Sequence, residues 1–173
     1  MCSTELLEKK FLFRSATPAD AEEAGQVEAI CFPPNEACRP ERIRERTETC
    51  PELFLLAIDR KTGHIAGFLN GVATDETRLR DEFFTDITLH EPGGASVMLL
   101  GLDVLPEYRR QGLAKELVRR YAEREKKRGR ERLVLTCHEE KVDMYRRFGF
   151  LYGGKAISVW GGEVWFDMTM PLS

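Results

Sequence analysis

The stretch from Val97 to Tyr121 constrains this chain more than any other. It opens with an apolar run, Val97 to Leu105, then passes through Pro106 and the basic turn Arg109-Arg110-Gln111-Gly112. It continues with Leu113, Leu117 and Tyr121 at helical spacing, flanked by Ala114, Val118 and Ala122. A short apolar run bounded by breaks predicts a buried strand, and the helical period predicts an amphipathic helix that stops near Gly129. The first-turn N–H groups of a helix lack partners within it, the helix dipole places positive potential there, and a glycine lets an anion come close to the backbone. Arg109, Arg110 and Lys115 add positive charge around the same point. An ordinary helix start with surface arginines has the same local pattern, so the turn alone indicates a phosphate cradle without requiring one.

The remaining elements follow from the same signals. Phe11 to Arg14 suits a first strand, and Thr17-Pro18 followed by Glu22 and Glu23 has the N-cap and proline of a helix start. That helix is expected to reach Cys31, where Phe32-Pro33-Pro34 breaks it, and a second is expected from Pro40 to Glu48. Leu53 to Ile58 and His64 to Ala73 are strand-like around the turn Asp59 to Gly63, which predicts a hairpin. Arg78 to Asp86 reads as a helical turn or an ordered loop. Arg132 to Cys137 predicts a strand, Glu139 to Phe148 a short helix, and Phe150 to Trp160 and Val164 to Met170 two last strands around Gly161-Gly162. No repeat or linker divides the 173 residues, so a single domain, 1–173, is expected, in keeping with roughly 100 to 200 residues per domain.

Composition removes several classes of function. With 42% hydrophobic residues the chain is not a disordered tail. Its apolar runs fall well short of the ~18 to 20 residues that cross a bilayer, so no membrane partner is expected. Met1 to Lys10 carries charge and only the Leu6-Leu7 pair, unlike a secretory signal, which predicts a cytoplasmic protein. The five cysteines are odd in number and lack a C-x-x-C pair, so they read as free thiols, and the three histidines stand too far apart to suggest a metal site. From Arg109 to Arg132 eleven Lys or Arg face four Glu, a local +7; since the whole chain carries -3, the remainder carries -10. That polarity suits a polyanionic ligand at the basic segment. Nucleic acid is not the expected partner, because no helix-turn-helix, zinc module or aromatic-interleaved basic sheet accompanies the charge.

Two blocks carry a family resemblance. Arg109-x-x-Gly112-x-Ala114 is similar to the Gln/Arg-x-x-Gly-x-Gly/Ala signature of the GNAT superfamily of N-acetyltransferases, and Tyr145-Arg146-Arg147-Phe148-Gly149-Phe150 resembles its Tyr-x-x-x-Gly-Phe segment. The order of elements, a strand, two helices, three strands, a helix, a strand, a helix and two strands, also resembles that family across nearly the whole chain. More narrowly, Cys50-Pro51-Glu52-Leu53, Leu89-His90-x-Pro92 and Cys137 to Phe150 resemble the arylalkylamine, serotonin-type branch. The resemblance implies an α/β (α+β) fold with a mixed, mostly antiparallel seven-stranded sheet flanked by about four helices. It also implies acetyl-CoA as cosubstrate and no metal. The backbone of Leu102, Asp103 and Val104 would pair with the pantetheine arm, while Arg109 and the amides of Arg110, Gln111, Gly112, Leu113, Ala114 and Lys115 would hold the pyrophosphate.

Acetyl transfer from a thioester to an amine needs a neutral amine, a stabilised oxyanion and a proton for the departing thiolate. The resemblance gives Tyr145 the role of acid, and a phenol with an ordinary pKa near ~10 is protonated at neutral pH. A half-buried aromatic beside Met144 and Phe148 on a core-facing helix has the same spacing. A backbone N–H near Leu102 is the corresponding oxyanion donor. The arylalkylamine branch places a His-x-His pair where this chain has Met98 and Leu100, which leaves a water chain ending on Glu28, Glu36 or Asp75. Phe32, Pro33 and Glu36 lie in the connection where the superfamily builds its acceptor pocket, and an apolar wall beside carboxylates suits a cation with a hydrophobic body. Cys137 sits among apolar neighbours as an inert thiol, which favours direct transfer. The expected substrate is a small primary amine, arylalkyl or polyamine. A catalytically weak acyl-CoA-binding sensor and a peptide or protein N-acetyltransferase are the alternatives, and both a monomer and a homodimer are open.

Overall fold

Helix and strand boundaries fall where the residues stop supporting one backbone conformation. The computed structural model describes residues 2–173. Among them are six α-helices, α1 Ser3–Lys10, α2 Ala21–Cys31, α3 Pro40–Thr49, α4 Glu82–Thr85, α5 Leu113–Lys127 and α6 Val142–Arg147. Seven strands, β1 Phe11–Ser15, β2 Phe54–Asp59, β3 Ile65–Thr74, β4 Ser96–Val104, β5 Arg132–Cys137, β6 Leu151–Lys155 and β7 Phe166–Pro171, form one mixed sheet in the order β1-β2-β3-β4-β5-β7-β6. The β4–β5 pair is parallel, whereas β1–β2, β2–β3, β5–β7 and β6–β7 are antiparallel. The expected α/β class and seven strands are therefore present, with two more helices than expected. Among the described residues no helix is long and apolar enough to cross a membrane.

The chain groups into two compact units. One runs to Asn70 and resumes from Gly101 to Tyr121; the other comprises Gly71–Leu100 and Ala122–Ser173. In the first, β1 pairs β2 from Phe11–Asp59 to Ser15–Leu55, and every residue of β2 is buried. Phe54 and Phe68 meet at 5.0 Å, and the buried Tyr121 hydroxyl donates to the Leu53 carbonyl at 2.9 Å. Side chains of this size contribute about 1.5–3 kcal/mol each when fully buried. The sequence pattern did not anticipate α1, because only Leu7 of this helix is buried and no apolar stripe marks it. Its stability comes from a Glu5 carboxylate accepting the Cys2 N–H, from Lys9 and Lys10 at the negative end of its dipole, and from Thr4 and Glu8 bonding Glu116 and Arg120 of α5.

In the second unit, β5 pairs β7 from Arg132–Pro171 to Cys137–Phe166. The parallel pairing of β4 with β5 covers Ser96–Arg132, Val97–Leu133 and Met98–Val134 and ends there, although both strands continue. The buried Glu125 carboxylate binds Arg128 and Arg130, so part of the basic segment is spent inside the protein. The expected strand from Phe150 to Trp160 is shorter than predicted. Gly154 has φ +86, the β6–β7 register shifts between Tyr152 and Lys155, and Asp81 accepts bonds from the Ser158 hydroxyl and the Val159 N–H, drawing the chain off the sheet.

Candidate active site

The first unit places the predicted cradle at the end of β4. Pro106–Tyr108 forms a 3-10 turn after the strand, and Tyr108 donates to Asp59 at 2.6 Å, which fixes the turn to the β2 hairpin. Arg110 then takes φ +62 and Gly112 φ +84, and Arg110 is the one non-glycine residue of positive φ among the described residues. Left-handed residues alternating with ordinary ones turn successive N–H groups toward a common concavity that suits an anion. Among the described residues the N–H groups of Arg110 to Lys115 have no acceptor; the first intrahelical bond at this end is Glu116 N–H to the Gly112 carbonyl at 3.1 Å. A Cβ on Gly112 would meet nothing within 4 Å, so the space above it is open. These residues fit a diphosphate, which needs several donors and positive potential at once. Lys10, which the sequence did not single out, adds a cation by bonding the Gln111 side chain at 2.6 Å. Arg109 turns back, its Nε donating to the Val104 carbonyl at 2.8 Å. Arg119 and Arg120 bind Glu116, and Arg120 also covers the Phe13 ring at 4.0 Å.

Within β4, the carbonyl of Gly101 receives the Asn70 amide at 3.4 Å, and that of Asp103 lies 2.4 Å from where a Cβ on Gly67 would stand. Only glycine at position 67 permits that approach. Backbone groups alternate along a strand, so the Gly101 and Asp103 carbonyls face β3 and those of Leu102 and Val104 face the other edge. The expectation for Asp103 concerned its backbone; its carboxyl is the larger surprise. Asp103 is 0% and Glu28 of α2 2% exposed, and neither Asp103 oxygen nor Glu28 Oε1 has a hydrogen-bond partner among the described residues. Glu28 Oε2 accepts the Cys38 N–H at 2.9 Å, tying the Phe32-Pro33-Pro34 connection to α2. The buried Arg46 of α3 donates to Asn70 Oδ1 at 3.0 Å and to Cys38 Sγ at 3.5 Å. Burial first, and then the adjacent Glu28, raise the Asp103 pKa well above the usual carboxylate range. Burial also raises the Cys31 and Cys38 thiols, against the opposing pull of Arg109 and Arg46 respectively.

The other candidates are distributed as follows. Phe32 and Glu36 are half-buried and Pro33 is exposed, in a turn closed by the Glu36 and Ala37 N–H groups on the Pro33 carbonyl. Met98 and Leu100 are buried and apolar. In the second unit, Tyr145 of α6 is half-buried and packs edge-on against Phe148 at 5.9 Å and Phe150 at 5.6 Å. There too Asp75 accepts the Ala95 N–H at 3.0 Å, His90 Nδ1 accepts the Ala73 N–H at 3.1 Å, and His138 stacks on Trp165 at 4.2 Å. Burial raises the Cys137 thiol to about 12, which keeps it protonated and a poor nucleophile at neutral pH.

A mixed sheet whose fourth strand feeds a helix through a donor-rich turn is the architecture of acyl-CoA-dependent N-acyltransferases, and this chain belongs to the acetyltransferase (GNAT) family, whose model matches residues 21–150. It is an acetyl-CoA-dependent N-acetyltransferase. It is similar to the serotonin N-acetyltransferase of Mesocricetus auratus, with 30% identity over 164 residues that cover 92% of this chain and 77% of that one. Among solved structures it resembles the GphF GNAT-like decarboxylase in complex with isobutyryl-CoA, at a TM-score of 0.77 and 20% identity over 94% of this chain and 100% of that one. It also resembles the phosphinothricin acetyltransferase of Sinorhizobium meliloti in complex with acetyl-CoA, at a TM-score of 0.69 and 18% identity over 95% and 89% of the two chains.

Proposed function

We propose that this chain, acting as one domain, moves acetyl from acetyl-CoA directly onto a small primary amine. The observation that carries the reading is the run of N–H donors from Arg110 to Lys115 that lack acceptors among the described residues. That run, together with Lys10, would hold the diphosphate, and the outward edge at Leu102 would pair with the pantetheine amides as an added strand does; Arg109 and Val104, which bond each other and Cys31, would exchange those bonds to join them. A fixed N–H near Leu102 would stabilise the oxyanion without reorganising. Tyr145 would protonate the departing thiolate, an assignment supported by the resemblance of its segment to the family motif. The kinship with a serotonin N-acetyltransferase supports an amine acceptor, and the half-buried Phe32 and Glu36, with Pro33, supply an apolar and acidic wall for one.

Thiol release measured against a panel of arylalkylamines, polyamines and peptides is the test. The expected result is turnover of small primary amines, with Tyr145→Phe lowering kcat about 10²-fold and leaving CoA affinity unchanged. Tight CoA binding with no turnover of any acceptor would replace the reading with an acyl-CoA sensor, and peptide-selective turnover would reassign the substrate.

A further inference from the structure

We propose that Glu28 and Asp103 together receive the ammonium group of the acceptor and take its proton, delivering a neutral amine to the thioester. The inference rests on the amine-acetyltransferase reading above. Three carboxylate oxygens, Glu28 Oε1 and both of Asp103, stand in the interior without a donor. A carboxylate accepts hydrogen bonds and donates none, so two facing carboxylates leave each other unsatisfied until a proton or an external N–H arrives. Both converge over one bare α-carbon. A Cβ on Gly101 would stand 3.0 Å from Asp103 Oδ1, 3.2 Å from Asn70 Nδ2 and 3.3 Å from Glu28 Oε1, while Gly101 itself is only half-buried. The strand therefore offers a donor-seeking spot where any side chain would intrude.

The surroundings suit a stronger base than an ordinary exposed carboxylate. The groups that act on Asp103 are Glu28 and Cys31 of α2 and Cys38 of the following connection, while Arg46 of α3 acts in turn on Cys38 and Arg109, beyond β4, on Cys31. Burial first, and the neighbouring Glu28 carboxylate next, raise the Asp103 pKa well above the ordinary carboxylate range, which makes its carboxylate a stronger proton acceptor. Met98 and Leu100 of the same strand cannot take a proton, and Asp75 is engaged with the Ala95 N–H. The balance is simple. The ammonium gives one proton to the doubly ionised pair, the freed lone pair forms the C–N bond, and the C–S bond breaks. The proton shed by the new amide nitrogen balances the one taken by the thiolate, and the pair returns its own to solvent.

The test compares wild type, Asp103→Asn, Glu28→Gln and Gly101→Ala by kcat/KM against pH, using 2-phenylethylamine and spermidine, with CoA affinity and thermal unfolding measured in parallel. For Asp103→Asn we expect a loss of about 10²-fold at neutral pH, a flattened pH profile, unchanged CoA affinity and a higher unfolding midpoint, since a dry second charge has been removed. A merely structural role would instead lower the midpoint. Glu28→Gln should move the ascending limb to lower pH, because Asp103 keeps its burial and loses its charged neighbour. Gly101→Ala should raise KM for the amine while leaving CoA affinity unchanged. Turnover by wild type with an unmoved profile in both carboxyl variants would overturn this inference alone. Absence of turnover with every amine would overturn it together with the function above.

Discussion

The cradle before α5 and the carboxyl pair behind β4 belong to the same compact unit and both hold unsatisfied polar groups, yet they pay for them differently. At the cradle the surplus is of donors. Arg110 is exposed and the space over Gly112 is open, so the turn lies within reach of solvent or an anion and its unused N–H groups come at little cost to stability. At the pair the surplus is of acceptors in the interior, where each unmade hydrogen bond costs about 1–3 kcal/mol. An anion site can thus be built from surface backbone almost freely. A proton-accepting site needs buried charge, and its stability then depends on pH.

The sign of that dependence separates the pair from ordinary carboxylates. The Asp103 pKa is raised on folding, so the folded state holds its proton more tightly, and the stabilisation present at low pH is lost as pH climbs through the raised value. Asp20 is the opposite case. Its hydrogen bonds from Arg14, and then from Thr17, outweigh its burial and lower its pKa, so its stabilisation exists above the ordinary value and disappears as pH falls through the lowered one.

Variants at three further positions probe this contrast, beginning with the largest effect. Arg46→Met removes the buried cation that bonds Asn70 and Cys38, the carboxyl groups' own neighbours, and leaves Asn70 Oδ1 without this donor, so unfolding by denaturant at neutral pH is expected to show a loss of about 3 kcal/mol. A loss below ~1 kcal/mol would mean that the interior around Asn70 and Cys38 does not depend on that donor. Gly112→Val forces a β-branched residue into φ +84, a strain of about 1–2 kcal/mol, without meeting any protein atom. Its main effect should therefore appear in CoA affinity, weakened about tenfold by calorimetry, with Gly112→Asn losing less because asparagine tolerates that conformation. Normal CoA affinity in Gly112→Val would contradict the cradle. Asp20→Asn is the smallest effect, at most ~1 kcal/mol because Arg14 is 40% exposed, and it should vanish in acid. A gain in stability at neutral pH would remove Asp20 as the counterexample.

Much of the molecule was legible from local pattern. The strand from Arg132 to Cys137 has its expected bounds, the helices after Thr17, Pro40 and Gly112 begin within a few residues of their signals, and the hairpin around Lys61-Thr62-Gly63 is present. The donor-rich turn was legible for the same reason: a strand end, a basic run, a glycine and a helix are consecutive in the chain, and the chemistry of a helix N-terminus is carried by backbone. The α1 helix was not, since its partners Glu116 and Arg120 lie far along the chain. The final strand pair was overestimated because a bond from Ser158 to Asp81 has no local trace.

The sequence by itself determined the order of elements, the family motif and the site where a diphosphate fits, all products of neighbours along the chain. Only the tertiary structure decided that Glu28, Asn70 and Asp103, drawn from one helix and two strands, meet over Gly101, with Arg46 of a second helix holding Asn70. The proton affinity of a carboxyl group is set by its dielectric surroundings and nearby charge, and neither exists until the chain has folded.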